Sequence, residues 1–213
     1  MKIKKSNMII TIESEPGSCG EEIARELSRM IGIPCYGEEI LDTAARISGI
    51  SAKLLHRYDG RAVYAAYDLL AEDEAGIKMP PAQDFITAQV VACKKLSENG
   101  PCILVDRHSA LALDGNENQI RIFIHADFES RAKVIAQQKN VSGGEAEKIL
   151  KKVDRAYRSY YKGNNKHWGS ADYYDFCVNA SDCTAEKLAD VIAVFLEDSV
   201  GEKLLPCAQK NAM

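Results

Sequence analysis

The residues best placed to do chemistry lie early in the chain, in the run Ile12-Glu13-Ser14-Glu15-Pro16-Gly17-Ser18-Cys19-Gly20-Glu21-Glu22-Ile23. Two glycines with a serine between them, directly after an apolar run, are what a backbone needs to curl its N–H groups around a phosphate. A complete loop of this kind reads G-x-x-x-x-G-K-[ST], in which the lysine reaches the terminal phosphates and the hydroxyl holds Mg²⁺. Here the Gly17-Ser18-Cys19-Gly20 core is present without the lysine. Gly17, Ser18, Cys19 and Gly20, with Glu21 and Glu22 beside them, are the candidate phosphate- and nucleotide-binding residues. The alternative is a tight strand-to-helix turn with no ligand. Glu21 and Glu22 favour that alternative, because each carboxylate in a first helical turn gains about 0.3–1 kcal/mol from the helix dipole and competes with a bound anion. Cys19, at a helix N-terminus, is expected to have a depressed thiol pKa.

A second group begins where the apolar run Cys102–Val105 is closed by Asp106 and Arg107. An apolar strand ending in a carboxylate is the Walker-B pattern, so Asp106 is a candidate to hold Mg²⁺ through water. It is equally read as a helix N-cap or as a partner of Arg107. Arg131 follows, and then Arg155 and Arg158, which are three apart and therefore share a helix face. That face either serves phosphate or, with Lys148, Lys151 and Lys152 just upstream, is simply solvated. Asp154 is read as orienting these arginines rather than as a base. Tyr157, Tyr160, Tyr161, Trp168, Tyr173 and Tyr174 crowd one stretch, where base stacking competes with ordinary packing. His125 ends a strand near the candidate site and is read as structural.

The elements that must position these residues follow from periodicity. Met8–Ile12 reads as a buried strand, and Glu21–Ile31, with Ile23, Ala24, Leu27 and Ile31 apolar, as an amphipathic helix. A short strand at Ile33–Tyr36 leads to a helix over Glu38–Ile47, ending near Gly49. Ser51–Ala75 is loosely helical, with Tyr58, Tyr64 and Tyr67 among charges, and is expected to be less regular and mobile. After Pro80 and Pro81, Ala82–Leu96 resumes a clean helical period. Cys102–Val105 and Arg121–Ile124 read as central strands, each followed by polar residues. Helices are expected over Asp127–Lys139 and, from the capping-box spacing Ser142-Gly143-Gly144-Glu145, to about Lys162. A polar break at Asn164, Asn165 and Lys166, a strand at Asp175–Val178, a helix at Ala185–Leu196 and a frayed tail after Glu197 complete the chain. Alternating strands and helices imply right-handed crossovers and a parallel sheet, hence an α/β protein.

Length and composition bound the function. The 213 residues favour one domain, and 46% hydrophobic with 27% charged residues is ordinary for a globular chain. A net charge of −4 gives no basic footprint for nucleic acid. The apolar run at Met8–Ile10 is too short for a signal peptide, and no stretch approaches the roughly 20 apolar residues of a membrane span, so a cytoplasmic protein is expected. Seven cysteines, an odd number without a C-x-x-C pair, argue against a disulfide framework or zinc ribbon, and most are expected to be small buried hydrophobes. A homodimer is left open.

The layout resembles the cytidylate kinase-like family over roughly residues 8–192. The likeness rests on Ile10-Thr11-Ile12 running into Glu15 and Gly17-Ser18-Cys19-Gly20; on Gly32-Ile33-Pro34-Cys35-Tyr36; on Arg107 after its strand; and on Phe123-Ile124-His125-Ala126 with Glu129-Ser130-Arg131. It continues through Val153-Asp154, Ser159-Tyr160-Tyr161, Trp168, Tyr174-Asp175, Asn179 and Ser181. The resemblance implies a three-layer P-loop NTPase-type fold, a parallel central sheet flanked by helices, in one domain over residues 1–198. It also implies a nucleoside-monophosphate-binding-like helical region at about 37–100, a lid-like region at about 139–168 and a C-terminal tail at 199–213. It implies transfer of a phosphoryl group from ATP, with Mg²⁺, to a CMP-like nucleoside monophosphate or another small acceptor, or else a catalytically silent nucleotide-binding module on that fold. Tyr36 and Arg107 would then contact the acceptor, and Arg107, Arg131, Arg155 and Arg158 would supply the positive charge that phosphoryl transfer requires. Family members commonly carry arginines where this chain has Ser14 and Glu21, and the Walker lysine aligns with Gly20.

Overall fold

The structure, a computed structural model, describes residues 4–58, 82–201 and 204. Most of the loosely helical segment expected to reach Ala75, including Tyr64 and Tyr67, lies outside the described residues. So do Pro80, Pro81, Cys207 and most of the expected tail.

Five parallel strands, β1 (Ile9–Ser14), β2 (Cys35–Tyr36), β3 (Cys102–Val105), β4 (Gln119–His125) and β5 (Phe176–Asn179), form one sheet in the order β2-β3-β1-β4-β5. β1 is central, with Ile10 opposite Ile103 on one side and Ile120 on the other. This is the α/β, three-layer P-loop kinase-type architecture implied by the resemblance. The layers follow from strand alternation. Ile10, Ile12, Ile103 and Val105 point to one face and pack on α1 (Gly20–Ile31) and α8 (Ala185–Val200). Ile9, Cys102 and Leu104 point to the other and pack on α2 (Glu39–Ser48), α3 (Ala52–Tyr58) and α4 (Ala82–Ser97). A four-residue α5 (Ser109–Ala112), then α6 (Phe128–Lys139) and α7 (Gly143–Asn164), complete the described elements.

Caps set several boundaries. Asp127 accepts from the Ser130 amide to start α6, and Ser142 accepts from the Glu145 amide to start α7, as its sequence spacing predicts. Two expectations change. β2 is only Cys35–Tyr36, because Ile33 is already buried against α1 and α8. The last helix runs on to Val200, and Val200 and Leu204 are buried in the first core, so the described residues just beyond Glu197 are anchored by apolar burial rather than frayed. Of the cysteines, Cys93 and Cys102 are buried, Cys19 and Cys35 half-buried, and Cys177 and Cys183 exposed, so burial holds for fewer than composition implies. Among the described residues no helix is long and apolar enough to cross a membrane.

Candidate functional site

The site is built at the carboxyl end of β1, where the chain turns through Glu15–Cys19 into α1. Gly17 has φ +81°, and a Cβ there would lie 2.9 Å from the Arg131 carbonyl oxygen, so the turn requires glycine twice over. Ser18, which is buried, bonds through its hydroxyl to the Glu15 carbonyl at 2.8 Å and closes the loop on itself. Cys19 takes the left-handed conformation at φ 60° and caps α1 without a side-chain bond. Its thiol is pushed up by partial burial and then by Glu22, which corrects the expected depression: the helix dipole is outweighed by desolvation and a neighbouring carboxylate.

Gly20 opens α1 and explains the missing lysine. A Cβ at this position would lie 2.4 Å from both Cβ and Oγ of Ser14. Any side chain here, lysine included, meets Ser14 at the carboxyl end of β1 before it can reach a phosphate. Gly20→Ala is expected to lower stability by about 1–3 kcal/mol through overpacking, measurable as a lower urea midpoint at unchanged slope.

Asp106, Arg107 and His108 carry φ of 55°, 53° and 61°, a left-handed turn of three non-glycine residues closed by Ser109 N–H donating to the Asp106 carbonyl at 2.9 Å. Left-handed geometry costs roughly 1–2 kcal/mol per residue, and the turn places three side chains differently. Asp106 Oδ1 accepts the Ser14 amide at 2.9 Å, with the Ser14 hydroxyl at 3.3 Å from Oδ2. His108, not Asp106, occupies the N-cap of α5, so the N-cap expectation for Asp106 is corrected. The Arg107 guanidinium folds back to donate to the Val105 carbonyl at 3.2 Å and flanks Gly37 together with Glu21. The His108 ring is buried with its centroid 5.0 Å from that of Tyr161, and burial takes the imidazole down to about 4, so it is neutral at pH 7.

Arg131, expected among the catalytic arginines, is instead a buried clamp. Its side chain is 6% exposed and forms a two-pronged pair with Asp154 at 2.7 and 2.9 Å. It also lies 3.4 Å from Glu15 and donates to the carbonyls of Pro16 and Ala126. Arg131 therefore ties the loop to α6 and α7. Asp154 orients it, as its spacing implied. Tyr36 is half-buried against the second core.

Two cavities flank Glu15. The first, of 170 Å³, lies over the loop and is lined by Ser14, Glu15, Gly17, Cys19, Gly20, Glu21, Glu22 and Asp106, with Pro16, Gln138 and Tyr157. Among the described residues four carboxylates and no basic side chain line it, so the loop residues and Asp106 converge there while Arg107, Arg131, Arg155 and Arg158 do not. The second, of 410 Å³, is lined by Glu15, Phe123, Arg158, Tyr161, Asn165, Lys166, Trp168 and Gly169. Arg158 thus reaches a cavity, though not the one over the loop, and Arg155 is exposed on α7. The tyrosine-rich stretch packs mainly on itself: Tyr161 and Trp168 stack at 4.8 Å, and Phe123 meets Trp168 edge-on and Tyr174 at 4.9 Å.

Sequence reasoning missed Glu13. It is fully buried at the end of β1, accepts a hydrogen bond from the Tyr174 hydroxyl, and has no partner for Oε1 among the described residues. Burial, opposed by the Tyr174 bond and assisted by nearby Asp106, raises its carboxyl from 4.5 to about 7. The only signal was a lone carboxylate in a strand whose other residues are three isoleucines, Thr11 and Ser14. Asn165 and Lys166 were also missed as site residues, because a polar break gives no hint of the cavity behind it.

Residues 9–182 match the model of the cytidylate kinase-like family. The solved structure of an uncharacterized protein from Eubacterium ventriosum ATCC 27560 is similar at 25% identity and a TM-score of 0.67, over 90% of this chain and 99% of its own. Shikimate kinase from Acinetobacter baumannii in complex with shikimate aligns over 92% of this chain and 97% of its own, at 12% identity and a TM-score of 0.52. A gluconokinase from Sinorhizobium meliloti 1021 aligns over 93% and 96%, at 10% identity and 0.53. These two similarities bear on the fold alone. No curated protein matches the chain.

Proposed function

We propose, from the premise that the chain belongs to the cytidylate kinase-like family, that it is a phosphotransferase moving a phosphoryl group from ATP to a small acceptor, a CMP-like nucleoside monophosphate first among them. The observation that carries this reading is the turn from β1 into α1. It keeps its main-chain entry at Gly17–Gly20 and opens on a cavity that Asp106, just after β3, also lines, pinned to Ser14 at 2.9 Å. Helix N-termini in this position offer unpaired amides to anions.

Charge decides what must accompany the nucleotide. The loop cavity is lined by Glu15, Glu21, Glu22 and Asp106 and, among the described residues, by no side-chain cation. Hard oxygen donors of this kind suit Mg²⁺, which is commonly held by one or two carboxylates and substrate phosphates rather than by a protein cage. Asp106 is the residue that would hold Mg²⁺, and the ion would supply the charge neutralisation phosphoryl transfer needs. Arg107 would hold the acceptor, and Arg155 and Arg158 on α7 would bring positive charge from the lid side.

Titration with ATP in Mg²⁺ and in EDTA, followed by ADP release with CMP and dCMP, tests this. Binding is expected only with Mg²⁺, and Arg158→Ala is expected to lower kcat/KM by roughly 10- to 100-fold, the loss of one charge-assisted contact. A second reading, nucleotide binding without turnover, is favoured by the exclusion of any side chain at Gly20. Mg²⁺-dependent binding without ADP release from any acceptor selects that reading, and absence of nucleotide binding removes both.

A further inference from the structure

We infer that α8 carries a self-association surface, on which two copies of this chain dimerise by laying their α8 helices antiparallel. Val191 and Val194 are the most exposed large apolar side chains among the described residues, at 51% and 60%. They lie on the side of α8 opposite to Leu188, Ala189, Ile192, Ala193 and Leu196, which are buried in the first core. The same outward line begins at Lys187 and ends at Asp198, both exposed. The four residues are thus spaced by four, three and four, the step of a helix–helix seam in a coiled coil.

Charge decides the partner and its direction. The midpoint between Val191 and Val194 is also the midpoint between Lys187 and Asp198. A two-fold axis through that point sets Val191 against Val194 of the partner subunit and Lys187 against Asp198 of the partner subunit. Opposite charges then close both ends of an apolar contact. A parallel pairing instead sets lysine against lysine and aspartate against aspartate, and is disfavoured. The stripe therefore complements itself, which favours a second copy over an unrelated protein. Glu186 and Asp190 lie about a quarter turn off this line, so the seam itself carries one charge of each sign.

The contact is modest. α8 has 16 residues and is about 24 Å long. One seam of that length covers less than the roughly 800 Å² per partner of a standard interface, so the dimer is reversible, with a Kd on the order of 10–100 µM. The seam includes none of the residues that line the loop cavity, so its test does not depend on the phosphotransfer reading.

Sedimentation velocity of the full chain without nucleotide, from about 1 to 300 µM, is expected to show monomer passing to dimer and no larger species, since a two-fold contact closes on itself. Val194→Lys should weaken the dimer roughly tenfold or more, because the change enters the contact twice. Lys187→Asp and Asp198→Lys should each weaken it roughly tenfold by setting like charges together, and the two combined should restore it to within about threefold of wild type. Lys133→Asp, which reverses an exposed charge on α6, should change it less than about twofold. Lys187, Val194 and Asp198 are exposed, so their replacement leaves the core intact. A monomer at every concentration, as follows if the seam is covered within the chain, overturns the inference. So does growth beyond dimer, a dimer that Val194→Lys leaves unchanged, or a charge-reversed double variant no better than its singles.

Discussion

Asp154→Ala is expected to destabilise the protein by about 3 kcal/mol, near the lower end of what removing one partner of a buried ion pair costs. The mechanism is an uncompensated charge. Arg131 is 6% exposed and loses both prongs of its pair. Glu15 remains 3.4 Å away and the carbonyls of Pro16 and Ala126 keep accepting, which holds the loss below the upper limit. Urea denaturation of wild type, Asp154→Ala, Arg131→Met and the double variant checks this, and the double variant should be less impaired than the sum of the singles. Because Arg131 also fastens Pro16, hydrogen exchange at Gly17–Gly20 should quicken in Asp154→Ala. A loss under 1 kcal/mol with unchanged exchange would show that the clamp is not what holds the loop.

Glu13→Gln is expected to abolish a pH dependence. The native carboxyl titrates at about 7 against 4.5 for the free group, so between those values the folded chain holds a proton that the unfolded chain has released. Stability then falls as pH rises through that window, at about 1.4 kcal/mol per pH unit, and is flat above 7. The accumulated loss is on the order of 3 kcal/mol. Glutamine keeps an acceptor for the Tyr174 hydroxyl and carries no proton to lose. Denaturation at pH 5, 6, 7 and 8 should show a sloping wild type and a variant without this slope, the variant being the more stable at pH 8. Equal slopes would mean that Glu13 is hydrated in solution.

Much of the fold was legible because it follows from alternation and period. Ile9, Ile10 and Ile12 read as a strand buried on both faces, and α1 shows its apolar stripe at Ile23, Ala24, Leu27 and Ile31. The position of the loop was equally plain. Arg131 was not, because its spacing is the same whether the guanidinium meets a phosphate or a carboxylate, and only the approach of α7 puts Asp154 beside it. Cys19 misled for a related reason: the helix N-terminus is visible in sequence, whereas the burial that outweighs it is not. Nor does any local pattern announce three consecutive left-handed residues at 106–108, which are held by contacts to β1 and α7.

The contact between position 20 and Ser14 also constrains the history open to this chain. A single Gly20→Lys change cannot supply the loop's missing cation without displacing Ser14, since the first carbon of any new side chain collides with Cβ of Ser14 as well as with its hydroxyl. Trimming residue 14 to glycine would clear the space but would release the hydroxyl that Asp106 holds. Placing a cation there thus needs either a backbone shift or a second replacement at position 14. New charge for the site is more easily recruited at the exposed surface of α7 than at position 20.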